Sequence, residues 1–321
     1  MPDVISLGEL LIDFVPTVSG VTLIDAPAFT KAPGGAPANV AAGLAKLGVP
    51  AGFMGKVGDD PFGHFLAETL RSIGVDTTAL RFSAEARTGL AFVSLRADGE
   101  REFMFYRHPS ADMLYRPEEV DRDYVRAARV FHFGSISLIG EPSRGATLLA
   151  AQTARDAGLL VSYDPNLRPA LWPSEAAAKE GIMLGWRLAD VVKVSEAELE
   201  SLSGEDDVRA AARRLWHPGL RLLLVTRGAA GCSYVTTEFA GDVSGFSVRA
   251  VDTTGAGDGF VAGMLKGLLA SPCAYQDEQA LCEICRYANA VGALTTMERG
   301  AIPSMPTAER VVRFLEEQRR L

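Results

Sequence analysis

The chain has 321 residues, 48% of them hydrophobic and 22% charged, enough to bury the core of one large α/β domain or two ordinary ones. A formal net charge of −8 and a pI near 5.2, with no run of lysines or arginines, argue against a polyanionic partner such as nucleic acid. No stretch of about 18 apolar residues runs uninterrupted, and Met1 to Leu7 offers no basic region ahead of a long apolar one, so a cytoplasmic protein with no membrane partner is expected.

In chain order, residues 4–7 read as a short buried strand leading into Gly8-Glu9, and residues 10–15 form a second apolar run that contains one acid, Asp13. Period-two alternation permits Asp13 to face outward; if buried, its carboxylate needs polar partners of the kind a polyol supplies. Gly34-Gly35 lets backbone approach a ligand closely, and Pro37 precedes a helix expected over residues 38–46 and stopped at Gly48, with Asn39 a candidate cap in its first turn. A strand over 51–57 and a helix over 61–73 ending at Gly74 continue a β-α-β rhythm, the mark of a parallel sheet covered by helices.

The rhythm changes at residues 88–96 and 102–106. These two strand-like segments flank Ala97-Asp98-Gly99, where Asp-Gly favours a tight hairpin. Phe103, Phe105 and Arg107 alternate with Met104 and Tyr106, so one face of this flap is free to close over a ligand while the other packs or dimerises. A two-stranded hairpin is not stable alone, and residues 10–29 are its expected companion.

From Val130 the α/β rhythm resumes, with a strand over 130–133, a helix over 142–157 and a strand over 159–163. Asp164-Pro165-Asn166-Leu167-Arg168 then falls at the carboxyl end of a strand, where open α/β sheets hold ligands, which puts Arg168 in reach of phosphates. Residues 222–226 form another buried strand that runs into Arg227-Gly228-Ala229-Ala230-Gly231, which a plain turn also explains.

The most informative stretch is Asp252-Thr253-Thr254-Gly255-Ala256-Gly257-Asp258-Gly259, followed by a helical run of small and apolar residues. A helix beginning at residues 255–257 aims unpaired N–H groups and the positive end of its dipole out of the turn, a ready phosphate cradle. Asp258 at the rim supplies a carboxylate able to deprotonate a hydroxyl beside a phosphoryl group, with the backbone of Gly255, Ala256 and Gly257 as anion hole.

Asp252 to Asp258 resembles the C-terminal signature of the ribokinase-like (PfkB-type) sugar kinases, and Gly34-Gly35-Ala36-Pro37-Ala38-Asn39-Val40-Ala41 resembles their N-terminal signature. The resemblance covers essentially the whole chain. Within the family it is most similar to the fructokinases, through residues 102–114, Phe131-His132-Phe133-Gly134-Ser135 and Asp164 to Arg168.

The resemblance implies one ribokinase-like α/β domain over 1–321, a three-layer fold with a mostly parallel central sheet between helices and a small β-strand lid from segments about 10–29 and 86–108. It implies an ATP- and Mg2+-dependent fructokinase acting on the C6 hydroxyl, with Asp13, Gly34, Gly35, Asn39, Phe103, Phe105, Arg107 and Arg168 at the sugar. Lys193, Thr226, Gly228, Gly231 and Asn289 are then expected at the nucleotide. The family's Asn-x-x-Glu pattern is matched as Lys193 to Glu196, with Glu196 on magnesium through water. Asp252, Thr254, Thr295, Gly300 and Ser304 resemble a potassium-binding loop, for which a dry hydrogen-bonded loop is the alternative. A homodimer joined through the flap, burying residues such as Phe92, is also implied.

Two other functions compete. A kinase for another sugar, or for 2-keto-3-deoxygluconate, would use Arg107 and Arg168 on a carboxylate; a non-catalytic sugar- or nucleotide-binding regulator would have no need of Asp258 beside an intact glycine run. Walker-type, protein-kinase and dinucleotide-binding patterns are absent from the sequence. Cys282-x-x-Cys285 lacks a second pair for zinc, so Cys232, Cys273, Cys282 and Cys285 read as free thiols, and the four histidines show no ligand spacing.

Overall fold

The computed structural model describes residues 1–18, 20–95 and 101–319. The expected turn at Ala97-Asp98-Gly99 and the side chain of Phe103 lie outside the described residues. In chain order the strands are β1 (Val4–Leu7), β2 (Leu11–Pro16), β3 (Phe29–Gly34), β4 (Ala51–Gly58), β5 (Leu80–Ser83), β6 (Leu90–Leu95), β7 (Arg101–Tyr106), β8 (Val130–Gly134), β9 (Leu160–Asp164), β10 (Val191–Ser195), β11 (Leu222–Thr226), β12 (Gly231–Val235) and β13 (Ala240–Ser244). The helices are α1 (Ala36–Lys46), α2 (Pro61–Ile73), α3 (Arg122–Arg126), α4 (Ser143–Asp156), α5 (Glu175–Trp186), α6 (Glu196–Ser203), α7 (Val208–Leu215), α8 (Ala256–Ala270), α9 (Glu278–Thr295), α10 (Ala301–Ser304) and α11 (Ala308–Gln318).

Nine strands form one sheet in the order β13-β12-β11-β10-β9-β8-β1-β4-β5, parallel except where β12 and β13 join antiparallel at one edge. Its central strands are buried along their length because both faces are covered, and they are mostly apolar, with Ser6, His132, Ser162 and Lys193 as buried polar residues among them. Along β10 and β11, Val191, Leu222 and Leu224 enter one core, while Val192, Val194, Leu223 and Val225 enter the other. The first core is completed by α1, α2, α8, α9 and α11, the second by α3 to α7, which gives the three layers. The chain leaves β1 toward β4 on one side and returns on the other through β8, so the order reverses between β1 and β8, where doubly wound sheets open a ligand crevice.

A second sheet, ordered β3-β2-β6-β7, stands beside that crevice. It pairs the hairpin β6–β7 with residues 11–16, the companion segment expected from sequence. Cross-strand register sorts its side chains by face. Asp13, Ala32, Ala91 and Phe105 are partners on one face; Phe14, Lys31, Phe92 and Met104 are partners on the other. On that second face Phe14 stacks on Phe92 at 5.0 Å and reaches Phe62 of α2, while Met104 and Tyr106 are 42% and 57% exposed.

Helix α2 keeps its expected bounds, because Asp60 accepts from the N–H groups of Phe62 and Gly63 and Gly74 turns left-handed at its end. Helix α1 starts two residues earlier than expected. Gly35, at φ 110°, is its N-cap and Glu9 Oε1 accepts the Ala36 N–H at 2.8 Å, so Asn39 lies inside the helix and caps nothing.

Candidate active site

A cavity opens at the carboxyl ends of β1, β9 and β10, walled by the inner face of the small sheet and by the start of α8. Its lining includes Glu9, Asp13, Gly35, Asn39, Phe105, Arg168, Lys193, Asp252, Thr254, Gly255, Gly257, Asp258 and Gly300. The two sequence signatures, more than 200 residues apart, meet here: Asn39 Nδ2 donates to Asp258 Oδ2 at 2.8 Å.

The turn before α8 explains its glycine. Gly255 caps the helix at φ 81°, a left-handed conformation, and a methyl group there would press on Ala301 at 2.7 Å. Ala256, Gly257 and Asp258 then form the first turn, whose N–H groups lack intrahelical acceptors. Gly259 serves differently from the expected ligand approach: its bare face packs on Thr295 of α9, where a Cβ would lie 2.7 Å from Oγ1.

Asp258 is 7% exposed. Burial pushes its pKa up to about 6, against the Asn39 hydrogen bond and the charges of Lys193 and Arg168, while Asp164 raises it further. A carboxylate titrating there is poised as a base near neutrality. Asn39 Oδ1, on the other end of the same amide, is buried without a hydrogen-bond partner, so this residue orients the base with one atom and keeps an acceptor beside the cavity with the other.

Lys193, from the centre of the sheet, reaches the anion cradle. Its Nζ bonds Asp164 Oδ2 at 3.0 Å and lies 3.0 Å from where a Cβ on Gly257 would stand. Burial opposes its charge, yet Asp164, Glu198 and Asp258 hold its pKa above the ordinary lysine range. A permanent cation therefore sits against the first turn of α8.

Asp13 faces the cavity, and the missing side chain of Gly34 makes room for its carboxylate. Burial lifts its pKa to about 7, opposed by Arg168 and reinforced by Asp258 and Asp252. Glu9, which sequence reasoning passed over, is a second such acid: 3% exposed, lining the cavity, and raised to about 7 by burial, with the backbone and Arg107 pulling it down. Arg168 lines the same space.

Several expected residues stand elsewhere. Arg107 does not line the cavity; it is 4% exposed and bound to Asp112 in a buried ion pair. Glu196 is exposed at the rim of a separate depression with Asp206, Asp207 and Asp242. Of the two acids in this segment it is Glu198 whose charge acts on Lys193, and it accepts from the N–H groups of Leu167 at 2.6 Å and Ser195 at 2.7 Å. Ser195 caps α6 and Glu198 is the N3 partner that folds back to it, so the N1 residue Glu196 points away.

Thr226, Gly228, Gly231 and Asn289 lie outside the cavity lining. Thr226 Oγ1 donates to the Val194 carbonyl at 3.3 Å, Gly231 is pressed between β11 and β13, and Asn289 Nδ2 ties α9 to the carbonyls of Val243 and Ser244 at 3.2 Å. In the potassium-type loop, Asp252 accepts from Thr254 and from the Gly300 N–H at 2.9 Å. Thr295 Oγ1 donates to the Val291 carbonyl and Ser304 Oγ to those of Gly300 and Ala301, so these two hydroxyls serve their own backbone. Among the described residues no group of three His, Cys, Asp or Glu side chains gathers as a metal site.

Fructokinase-1 of Zea mays is 56% identical over 315 residues, 98% of each chain. Among solved structures, fructokinase from Xylella fastidiosa with bound ATP superposes with a TM-score of 0.91 at 36% identity over 99% of each chain. Fructokinase from Vibrio cholerae O395, bound to fructose, ADP and calcium, gives 0.89 at 34% identity over 98% of this chain and 99% of that one. The model of the pfkB family carbohydrate kinases matches residues 1–308, and with Asp258, its anion cradle and both signatures gathered at one cavity, the chain belongs to that family.

Proposed function

We propose that the protein is an ATP-dependent fructokinase, converting D-fructose and ATP to D-fructose 6-phosphate and ADP. The observation that carries this reading is the buried Asp258, held by Asn39 at the start of α8 and opposite Asp13 in one cavity. Asp258 takes the proton of the C6 hydroxyl as that oxygen bonds to the γ-phosphorus and the bond from phosphorus to the β–γ bridging oxygen breaks. Lys193 and the N–H groups of the first turn of α8 face the charge that develops on the transferring group. Asp13 and Asn39 Oδ1 accept from sugar hydroxyls, and Arg168 donates to sugar or phosphate. Asp164 and Glu198, whose charges act on Lys193, would hold the water shell of a Mg2+ ion bound with the nucleotide, which would neutralise phosphate charge.

Charge favours a neutral substrate over a keto acid. Among the described residues, Glu9, Asp13, Asp252 and Asp258 line the cavity with Arg168 and Lys193 as its cations, and Arg107, which a substrate carboxylate would need, is committed to Asp112. On this reading the small sheet is the lid of a single kinase domain, and its exposed aromatic face joins two copies as a homodimer. A potassium ion at the Asp252–Gly300 loop would stiffen the turn into α8. The test is initial rates on fructose, ribose, glucose and 2-keto-3-deoxygluconate with ATP and Mg2+; a preference for the keto acid would overturn the proposal.

A further inference from the structure

Glu9 has no place in the chemistry described above, yet it is a nearly inaccessible acid on the cavity wall. On one side it governs the turn into α1. Its Oε1 holds the Ala36 N–H at 2.8 Å, and its carbonyl lies so close beneath Gly35 that a side chain there would collide with it. That turn leads one helical step later to Asn39, which holds Asp258.

On the other side Glu9 faces the base of the hairpin. Arg107, the residue after β7, and its partner Asp112 both act on Glu9 electrostatically. Asp112 accepts from Ser110 Oγ at 2.5 Å and abuts Gly89, the residue before β6, where a Cβ would stand 3.3 Å from Oδ1. The Arg107–Asp112 pair thus pins both feet of the β6–β7 hairpin. Arg107 nevertheless retains a donor: its Nε is buried without a hydrogen-bond partner, although the side chain is 4% exposed. A buried guanidinium N–H left unpaired is costly, and the second acid acting on it is Glu9.

We infer that Glu9 is a positioning residue that couples the small sheet to the catalytic base, its carboxylate holding the Gly35–Ala36 turn and drawing Arg107, and with it the hairpin, down when sugar is seated. The inference rests on the lid reading above. Closure would pair Arg107 Nε and place Phe105 over the sugar in the movement that fixes Asn39 and Asp258.

Glu9→Gln tests this, because the amide oxygen can still accept from Ala36 while the charge that attracts Arg107 is gone. The variant is expected to melt no lower than wild type and to raise KM for fructose roughly tenfold, within the usual range of coupling between sites, with KM for ATP changing less than about twofold. Hydrogen exchange reads the coupling directly: fructose should slow the amides of residues 104–107 about tenfold in wild type and less than about twofold in Glu9→Gln. Equal protection in both proteins would overturn the inference, as would KM values for sugar and ATP that rise together. A wild-type enzyme inert toward fructose would sink the substrate assignment instead, and the exchange comparison, repeated with the sugar that is turned over, would still decide the role of Glu9.

Discussion

Asn39→Asp is the sharpest perturbation of this site, since it exchanges a hydrogen-bond donor for a second carboxylate 2.8 Å from Asp258 Oδ2 without changing side-chain size. Two effects add. Losing the amide removes the contact that holds the Asp258 pKa down, and a like charge opposes ionisation. Two unit charges about 4 Å apart at an effective dielectric of about 20 interact by about 4 kcal/mol, which is roughly three pH units. A general base must be ionised to act, so activity rises with pH through its pKa, near 6 in the wild type. In the variant the pair shares a proton until a second ionisation near about pH 9, so Asp258 is ionised in only part of the molecules at pH 7, and kcat/KM falls there and recovers in alkali. Asn39→Ala, which loses the hydrogen bond to Asp258 and the sugar-facing acceptor without adding a charge, should move the limb by about one unit and weaken fructose binding as well. The assay is kcat/KM for fructose by coupled ADP release from pH 5 to 10. An Asn39→Asp profile that keeps the wild-type limb and is merely scaled down would refute the electrostatic link between the two residues.

Asp258→Asn should fold, bind ATP by calorimetry with wild-type affinity and lose on the order of 10² to 10⁴ in kcat; undiminished turnover would remove Asp258 from the mechanism. Asp13 has a folded pKa of about 7 against 3.8, so its stabilising contribution is present below pH 4 and is lost as pH rises through 7. Asp13→Asn should therefore raise Tm at pH 8 by roughly 2–4 °C, and by less at pH 5, while weakening fructose binding. Tyr106→Glu puts a charge on the exposed face of the small sheet and should convert a dimer to a monomer by light scattering; a wild type that is monomeric and fully active would dismiss the dimer. Rates compared in potassium, sodium and a bulky organic cation at equal ionic strength test the Asp252–Gly300 loop, and equal rates in all three would dismiss a cation there.

The turn into α8 at the cavity was legible because it is written in consecutive residues. Asp258, Gly255 and Gly257 need only one helix start to come together, and a glycine-rich turn before an apolar run announces that start. The central strands were equally plain as short, mostly apolar runs. What the sequence concealed depended on which way one side chain turned. Ser195-Glu196-Ala197-Glu198 contains two acids, and only the capping box that Ser195 forms with Glu198 decides which of them folds back toward Lys193. Arg107 stood beside the most family-like string, but Asp112, brought round by a single 3-10 turn, captures it. Glu9 looked like a punctuation mark after β1; what sets it apart is a hydrogen bond to a residue 27 positions away and the charge of a residue roughly 100 positions away.

The small sheet presents cavity-side and outward-facing residues alternately on the same strands, Ala91, Val93 and Phe105 interleaved with Phe92, Met104 and Tyr106. Two kinds of inheritable change are thereby kept apart. If the cavity face meets the sugar and the outer face joins two copies, as proposed, substitutions at the first set retune which sugar is accepted while leaving self-association alone, and substitutions at the second do the reverse, so the two traits drift independently. Insertion or deletion of one residue within β6 has the opposite character, exchanging the two sets wholesale beyond that point and abolishing both traits in one step.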